Sequence, residues 1–126
     1  MESGQQRSDL TKLSELDLPL EEPWQDTRGL DVYDIIDEQI GSVEDLYVDQ
    51  DTRQPRFVVV SAGGFLGAGK KHLLIPAEEV SRDMSEERVT VTEPRDKVLN
   101  SPEFDPEGGV PPADVQRAIE AYYGHR

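Results

Sequence analysis

The segment Gly64–Lys71 comes closest to a known chemical motif, because it satisfies the phosphate-binding pattern G-x-x-x-x-G-K. The position after that lysine holds Lys71, however, where a P-loop needs Ser or Thr to bind Mg²⁺. A P-loop also opens a helix so that amide groups converge on phosphate, whereas His72–Ile75 is typical of a strand that ends at Pro76. We therefore interpret the segment as a flexible hairpin loop; the alternative is that Lys70 and Lys71 contact an anion or a partner.

The segment Asp49–Val60, which precedes this loop, begins like the calcium-binding loop of an EF-hand. Asp49 and Asp51 occupy the first and third ligand positions. The fifth position is Arg53, the sixth is Gln54 in place of glycine, and the twelfth is Val60 in place of glutamate. A solvated turn is therefore the better interpretation of this segment.

The sequence offers little else from which an enzyme site could be built. Of the two histidines, His72 stands beside two lysines whose charge disfavours a metal cation, and His125 lies at the end of the sequence. Cysteine is absent, which excludes thiol catalysis, Cys-ligated zinc and disulfides. No serine-elbow sequence accompanies the single internal histidine, and neighbouring carboxylates are expected by chance among 27 acidic residues. We predict no catalytic residue, no metal site and no cofactor.

The charge of the chain restricts its partners. Acidic residues outnumber basic ones 27 to 13, which gives a net charge of -14. Duplex nucleic acid and anionic membranes need a surface rich in lysine and arginine, so neither is expected as a direct partner. The polar N-terminal sequence and the lack of a long apolar run predict a soluble cytoplasmic protein without membrane insertion. The acidity has two explanations that stay open: general solubility and a salty habitat.

The length of 126 residues corresponds to one domain, within which three stretches differ in composition. Residues 1–28 form an acidic N-terminal arm in which prolines prevent one continuous helix; we expect about the first ten residues to be disordered and the rest to contact the core. Residues 29–95 hold nearly all the β-branched runs and form the barrel domain. Residues 96–126 are a Pro/Gly-rich connector followed by one helix.

Five segments of the middle stretch are predicted as strands: Leu30–Ile36, Ser42–Asp49, Phe57–Val60, His72–Ile75 and Arg88–Thr92. Phe57–Val60 is apolar on both faces, which is typical of a central strand. The irregular pattern around Gly41 indicates a β-bulge or a sharp coil. Short strands in close succession, without helices between them, predict a mainly β fold, namely a small antiparallel β-barrel.

One short C-terminal helix is predicted between Pro111 and Gly124, since proline is favoured at a helix start and glycine just past its end. Its apolar stripe predicts that it docks on the barrel and consists of Val115, Ala118, Ile119 and Tyr122. Residues on the inward phases of the strands and of this helix should be buried together, and these are Phe57, Val59, Leu74, Val89, Val91 and Ile119.

Four pieces of the sequence, in order, resemble the PRC-barrel family. They are GLDVYD from Gly29, IGSVEDLYVD from Ile40, PRFVVV from Pro55 and LLIPA from Leu73. The family's fold occurs in the cytoplasmic domain of the photosynthetic reaction-centre H subunit and in the C-terminal part of a ribosome maturation factor. The resemblance implies a small β-barrel without catalytic residues that serves as a docking or assembly module.

We therefore predict a non-enzymatic protein-interaction or assembly module with an unidentified protein partner. The alternative is an accessory factor in RNA processing or ribosome assembly that binds a basic ribosomal protein by charge. A weak homodimer is also predicted, because short strands rarely close a barrel and an edge strand then stays unpaired. Phe65 and Leu66, at the tip of the Gly-rich loop, would contact the partner together with Lys70 and Lys71; alternatively the two apolar residues fold back over one end of the barrel.

Overall fold

The computed structural model describes residues 10–16, 20, 26–63, 69–83 and 86–124. Within these residues the chain forms seven strands and two α-helices. In chain order they are β1 (Leu10–Lys12), β2 (Asp31–Tyr33), β3 (Gln39–Asp49), β4 (Pro55–Gly63), β5 (Lys70–Pro76), β6 (Val80–Asp83), β7 (Arg88–Val91), α1 (Arg95–Leu99) and α2 (Ala113–Tyr122). Short 3₁₀ turns lie at Leu13–Glu15, Ala77–Glu79 and Pro106–Gly108. None of the helices in the described part of the chain is long and apolar enough to cross a membrane.

The strands form one curled sheet that makes half a barrel, so the predicted mainly β fold is confirmed. The strand order is β5-β4-β3-β2-β7-β6. The long strand β3 pairs with β4 on one side, while β2 and β1 share its other side. This arrangement makes β3 and β4 interior strands, each paired on both sides.

One pairing departs from the predicted antiparallel arrangement. Among the described strands, β2 and β7 run parallel, with Asp31 opposite Arg88 and Tyr33 opposite Thr90. The chain passes through β3, β4, β5 and β6 before it reaches the open side of β2. A long crossover of this kind permits a parallel pairing, which a tight hairpin turn does not.

The predicted strands are found, with different ends. The strand expected over Leu30–Ile36 stops at Tyr33, and β4 and β5 extend further into the predicted loop than expected. Strands β1 and β6 and helix α1 were not predicted. Disorder was predicted for about the first ten residues, and residues 1–9 lie outside the described residues.

The hydrophobic core is the predicted one. All six residues expected to be buried together, which are Phe57, Val59, Leu74, Val89, Val91 and Ile119, are at most 1% exposed and belong to one cluster. The whole run Phe57–Val60 is buried, as expected for a central strand. Leu10 and Leu13 join the same core, which confirms that part of the N-terminal arm contacts it.

Gly41 allows β3 and β4 to approach closely. A Cβ atom at this position would lie 2.1 Å from the backbone oxygen of Ser61, so any larger residue would push the two strands apart. The register of the pair shifts shortly afterwards, between Val43 and Asp45. The irregularity predicted near Gly41 is therefore confirmed as a bulge in β3.

Helix α2 has the predicted position, and Val115, Ile119 and Tyr122 of its predicted stripe pack on the core. It ends before Gly124, whose φ of 84° is the left-handed conformation typical of the residue after a helix. Ala118, predicted on the inner stripe, is exposed, whereas Gln116 is fully buried. The buried side chain is accommodated because Gln116 Nε2 donates a hydrogen bond to the carbonyl oxygen of Pro111 at 2.8 Å.

The connector before α2 covers the outer side of β5. Glu103 forms a β-bridge with Leu73, and the backbone N–H of Phe104 donates to the carbonyl of His72 at 2.9 Å. The ring of Phe104 packs edge-on against Tyr47, with centroids 5.9 Å apart. These contacts occupy part of a sheet edge that would otherwise offer unpaired backbone groups.

Candidate interaction surfaces

The structure describes only part of the predicted partner-binding loop. Phe65 and Leu66 lie outside the described residues. Lys70 and Lys71 lie at the start of strand β5, which bears out the prediction that a strand follows the glycines.

The structure gives the two lysines different environments. Lys71 is half-buried, and its Nζ donates to the carbonyl oxygen of Leu99 at the C-terminal end of α1, at 3.1 Å. A cation is favourable there because the last carbonyl groups of a helix carry partial negative charge. Lys70 is exposed at the mouth of a shallow recess. Lys71 thus has a structural contact, and Lys70 is the one presented to solvent.

The recess beside Lys70 has a volume of about 280 Å³. Its lining carries charges of both signs and consists of Lys70, His72, Glu103, Phe104 and Asp105. His72 Nε2 lies 3.0 Å from Glu44 Oε1, so the nearest partner of the imidazole is a carboxylate. Within the described residues, no group of three or more His, Asp or Glu side chains is arranged to hold a metal ion. The recess offers polar contacts without a distinct preference for one charge.

A second surface lies at the β2–β3 connection, which we call the isoleucine turn (Asp34–Glu38). Ile35 is 56% exposed and Ile36 is 68% exposed, and in the described part of the chain the other exposed large apolar residue is Val110 at 38%. Isolated apolar residues on a surface are common, but two adjacent isoleucines are a local apolar patch. Among the described residues, these two are the most exposed large apolar side chains.

Asp34 holds the isoleucine turn in shape from inside. Its carboxylate is 1% exposed. One oxygen accepts hydrogen bonds from the backbone N–H groups of Ile36 and Glu38, at 3.0 and 2.8 Å. The other accepts from the backbone N–H of Arg95, at 2.9 Å, and so ties the turn to α1.

The ionised form of Asp34 is the favoured one in this setting. Burial by itself raises the pKa of Asp34, but the three backbone hydrogen bonds outweigh it, and the pKa lies below its ordinary value of 3.8. The carboxylate therefore acts as a permanent acceptor for the turn at neutral pH. Asp37 adds a backbone conformation with a φ of 67°, which Asp adopts more readily than most residues.

Arg88 braces the same turn from the neighbouring strand β7. Its guanidinium lies over the ring of Tyr33, 4.2 Å from the centroid, and its Nη2 contacts Asp37 Oδ1 at 2.5 Å. A cation stacked on an aromatic ring and bonded to a carboxylate has little freedom to move. The isoleucine turn is thus held by α1 on one side and by β7 on the other.

Sequence reasoning missed this surface because it extended strand β2 through Ile36. The β-branched residues continue the strand pattern, and a strand would have paired them with β3. The available signal was the spacing of Asp34, Asp37 and Glu38, since Asp side chains commonly accept hydrogen bonds from backbone groups two residues further on. That signal would have placed both isoleucines in a turn.

Comparison with known families gives a match over most of the sheet. A family model described as the PRC-barrel domain matches residues 21–98, which is more than half of the chain. The matched residues include β2 to β7 and the isoleucine turn. Comparison with curated proteins finds no similar sequence.

Proposed function

The chain belongs to the PRC-barrel domain family, and from that premise we propose that it is a non-enzymatic protein-interaction or assembly module of the cytoplasm. The observation that carries the proposal is the exposed pair Ile35 and Ile36 on a turn held by partly buried hydrogen bonds to Asp34. Exposed apolar residues of this kind are typical of interaction sites.

The energetics of the isoleucine turn suit a binding role. Fully burying one isoleucine contributes about 1.5–3 kcal/mol, so two of them supply a useful share of a moderate affinity. A turn whose conformation is already fixed loses little conformational entropy on binding. The contacts of Asp34 and Arg88 fix that conformation in the unbound chain.

Capture from host lysate tests the proposal. Three baits are compared: the wild-type chain, the Ile35→Ser/Ile36→Ser double variant, and Val110→Ser as a control at another exposed apolar residue. We expect proteins that the wild type and the Val110→Ser bait retain and that the double variant loses. The same proteins on all three baits would contradict the proposed surface.

The charge of the chain favours a second candidate function, in RNA processing or ribosome assembly. A net charge of -14 suits a basic ribosomal protein as partner and opposes direct contact with RNA. Nuclease treatment of the lysate separates this candidate from the first. Ribosomal proteins that stay bound after nuclease support it, and their loss with the RNA would count against it.

Weak self-association is part of the proposal. Two copies that each carry -14 repel one another at low ionic strength, so we expect a homodimer to tighten as salt is added. Light scattering after size exclusion, at low and high salt, measures this for the wild type and for Phe65→Ser. A monomer at high protein and salt concentration would refute the homodimer, and a dimer unchanged in Phe65→Ser would place its contact away from the loop tip.

A further inference from the structure

We infer that the isoleucine turn binds a basic amphipathic segment of a partner protein, that is, an apolar face bordered by lysine or arginine side chains. The inference rests on the proposed function and adds the chemistry of the partner. It follows from the charges that surround Ile35 and Ile36 and from the way the neighbouring cations are already engaged.

Carboxylates outnumber cations around the turn. Arg88 links the turn to the β6–β7 connection, because it contacts both Asp37 and Glu86. Five acidic residues lie in these two segments, namely Asp34, Asp37, Glu38, Glu86 and Glu87.

The two nearby cations, Arg88 and Arg95, offset only part of this charge, and the carboxylates stay in excess. The guanidinium of Arg88 is engaged by Asp37, Glu86 and the ring of Tyr33. Arg95 donates its Nε to the carbonyl oxygen of Gln39 at 3.1 Å. Glu38, next to the isoleucines, is exposed and remains available for a cation from outside.

This charge pattern selects among the classes of partner. A second copy of the chain would place the same carboxylates opposite each other, which is unfavourable at close range. An anionic membrane surface and nucleic acid would be repelled for the same reason. A protein segment that combines apolar residues with lysine or arginine satisfies the isoleucines and the carboxylates together.

The decisive experiment titrates the full-length ¹⁵N-labelled chain with two synthetic amphipathic peptides. The peptides share the same leucines and differ only in carrying lysine or glutamate at the polar positions. We expect the lysine peptide to shift the amide resonances of Ile35, Ile36 and Glu38, and its affinity to fall at least about tenfold between about 0.05 M and 0.5 M salt. The glutamate peptide should produce no shift at these residues.

Variants separate the apolar contribution from the charged one. Ile35→Ser/Ile36→Ser should weaken binding of the lysine peptide by about tenfold or more. Glu38→Lys should weaken it by about threefold or more. Glu107→Lys makes the same change in net charge at an exposed residue of the connector before α2, and should have a smaller effect than Glu38→Lys.

The outcomes distinguish this inference from the proposed function. Equal, isoleucine-dependent binding of both peptides would overturn the basic chemistry and leave an interaction module. If the isoleucine substitutions leave the affinity for the lysine peptide unchanged, the proposed site is wrong. Capture from lysate then tests whether the chain is an interaction module at all. Shifts of the same amides by phosphatidylglycerol vesicles, without shifts by the lysine peptide, would also overturn the inference in favour of a membrane surface.

Discussion

Strand β4 and the isoleucine turn place their apolar side chains in opposite ways. In β4 the run Phe57–Val60 is buried on both faces of the sheet. In the turn, Asp34 is 1% exposed while Ile35 and Ile36 are 56% and 68% exposed. Both arrangements belong to the same sheet, since β3 pairs with β4 on one side and with β2 on the other.

The comparison separates two sources of order. Strand β4 is ordered by removal of apolar surface from water, which needs no particular partner atom. The isoleucine turn is ordered by hydrogen bonds to one buried carboxylate, each with a defined donor. The second arrangement leaves apolar side chains free for an external contact, and this is why the turn, and not the core, carries the functional proposal.

The largest expected effect comes from placing an acidic residue in β4. In Val59→Asp the carboxylate would stand at a position that is 0% exposed, with a desolvation cost of several kcal/mol. We expect no soluble folded protein, as judged by expression yield and circular dichroism. Gln50→Asp, at an exposed turn residue, is the control and should fold normally. A folded Val59→Asp chain with unchanged melting temperature would show that the strand phase is wrong.

Removal of α2 tests whether the core extends beyond the sheet. Ile119 is 1% exposed, and Tyr122 donates its hydroxyl to the carbonyl oxygen of Lys97 at 2.7 Å. Deletion of residues 111–126 should lower the melting temperature and increase binding of a dye to exposed apolar surface. Ile119→Ala, a milder change, should cost about 2–5 kcal/mol. If both proteins are as stable as the parent, the helix does not support the sheet.

The same two regions show how much of the fold the sequence predicts. The run Phe57–Val60 was identified because four consecutive apolar residues have no place on a surface. Strands β1 and β6 were missed because three or four residues carry too little periodicity, and their pairing depends on distant parts of the chain. Gln116 was missed because periodicity counts apolar residues, whereas this polar side chain is buried through a bond to Pro111.

The candidate surfaces were less predictable than the fold. Lys70 and Lys71 stand side by side in the sequence, but only the structure shows that Lys71 contacts Leu99. In the isoleucine turn, the pattern of apolar and polar residues is the same as at the end of a strand, so it does not distinguish a turn from a strand. Its shape depends on Arg95, which lies 61 residues away from Asp34, and a contact at that distance cannot be read from local pattern.

A smaller effect is expected from the buried carboxylate. In Asp34→Asn the amide group replaces one acceptor oxygen and leaves a backbone N–H, such as that of Arg95, without its partner. The free energy of unfolding should fall by about 1–3 kcal/mol at neutral pH, measured by denaturant titration. Asp51→Asn, at an exposed turn residue, is the control and should change little.

The pH dependence of the stability difference between wild type and Asp34→Asn tests whether the charge of Asp34 causes that difference. Because the pKa of Asp34 in the folded chain lies below 3.8, the ionised carboxylate stabilises the fold at pH values above 3.8. This stabilisation is lost as the pH falls through the folded-state pKa. The gap in the free energy of unfolding between wild type and Asp34→Asn should therefore narrow as the pH falls below 3.8. A gap of constant size down to unfolding would show that the charge of Asp34 is not the cause.

The double variant of the isoleucine turn should have the smallest effect on stability, although it should have the largest effect on partner binding. Ile35→Ser/Ile36→Ser removes side chains that are already more than half exposed, so its melting temperature should stay within the change caused by about 0.5 kcal/mol. Ile75→Ser makes the same chemical change at a residue that is 0% exposed, and should destabilise the chain by about 2–5 kcal/mol. Thermal unfolding and partner capture are measured for both variants. Together they distinguish isoleucines that stabilise the fold from isoleucines that contact a partner. Substantial destabilisation of the double variant would mean that Ile35 and Ile36 support the fold, because the loss of a partner could then follow from the loss of structure.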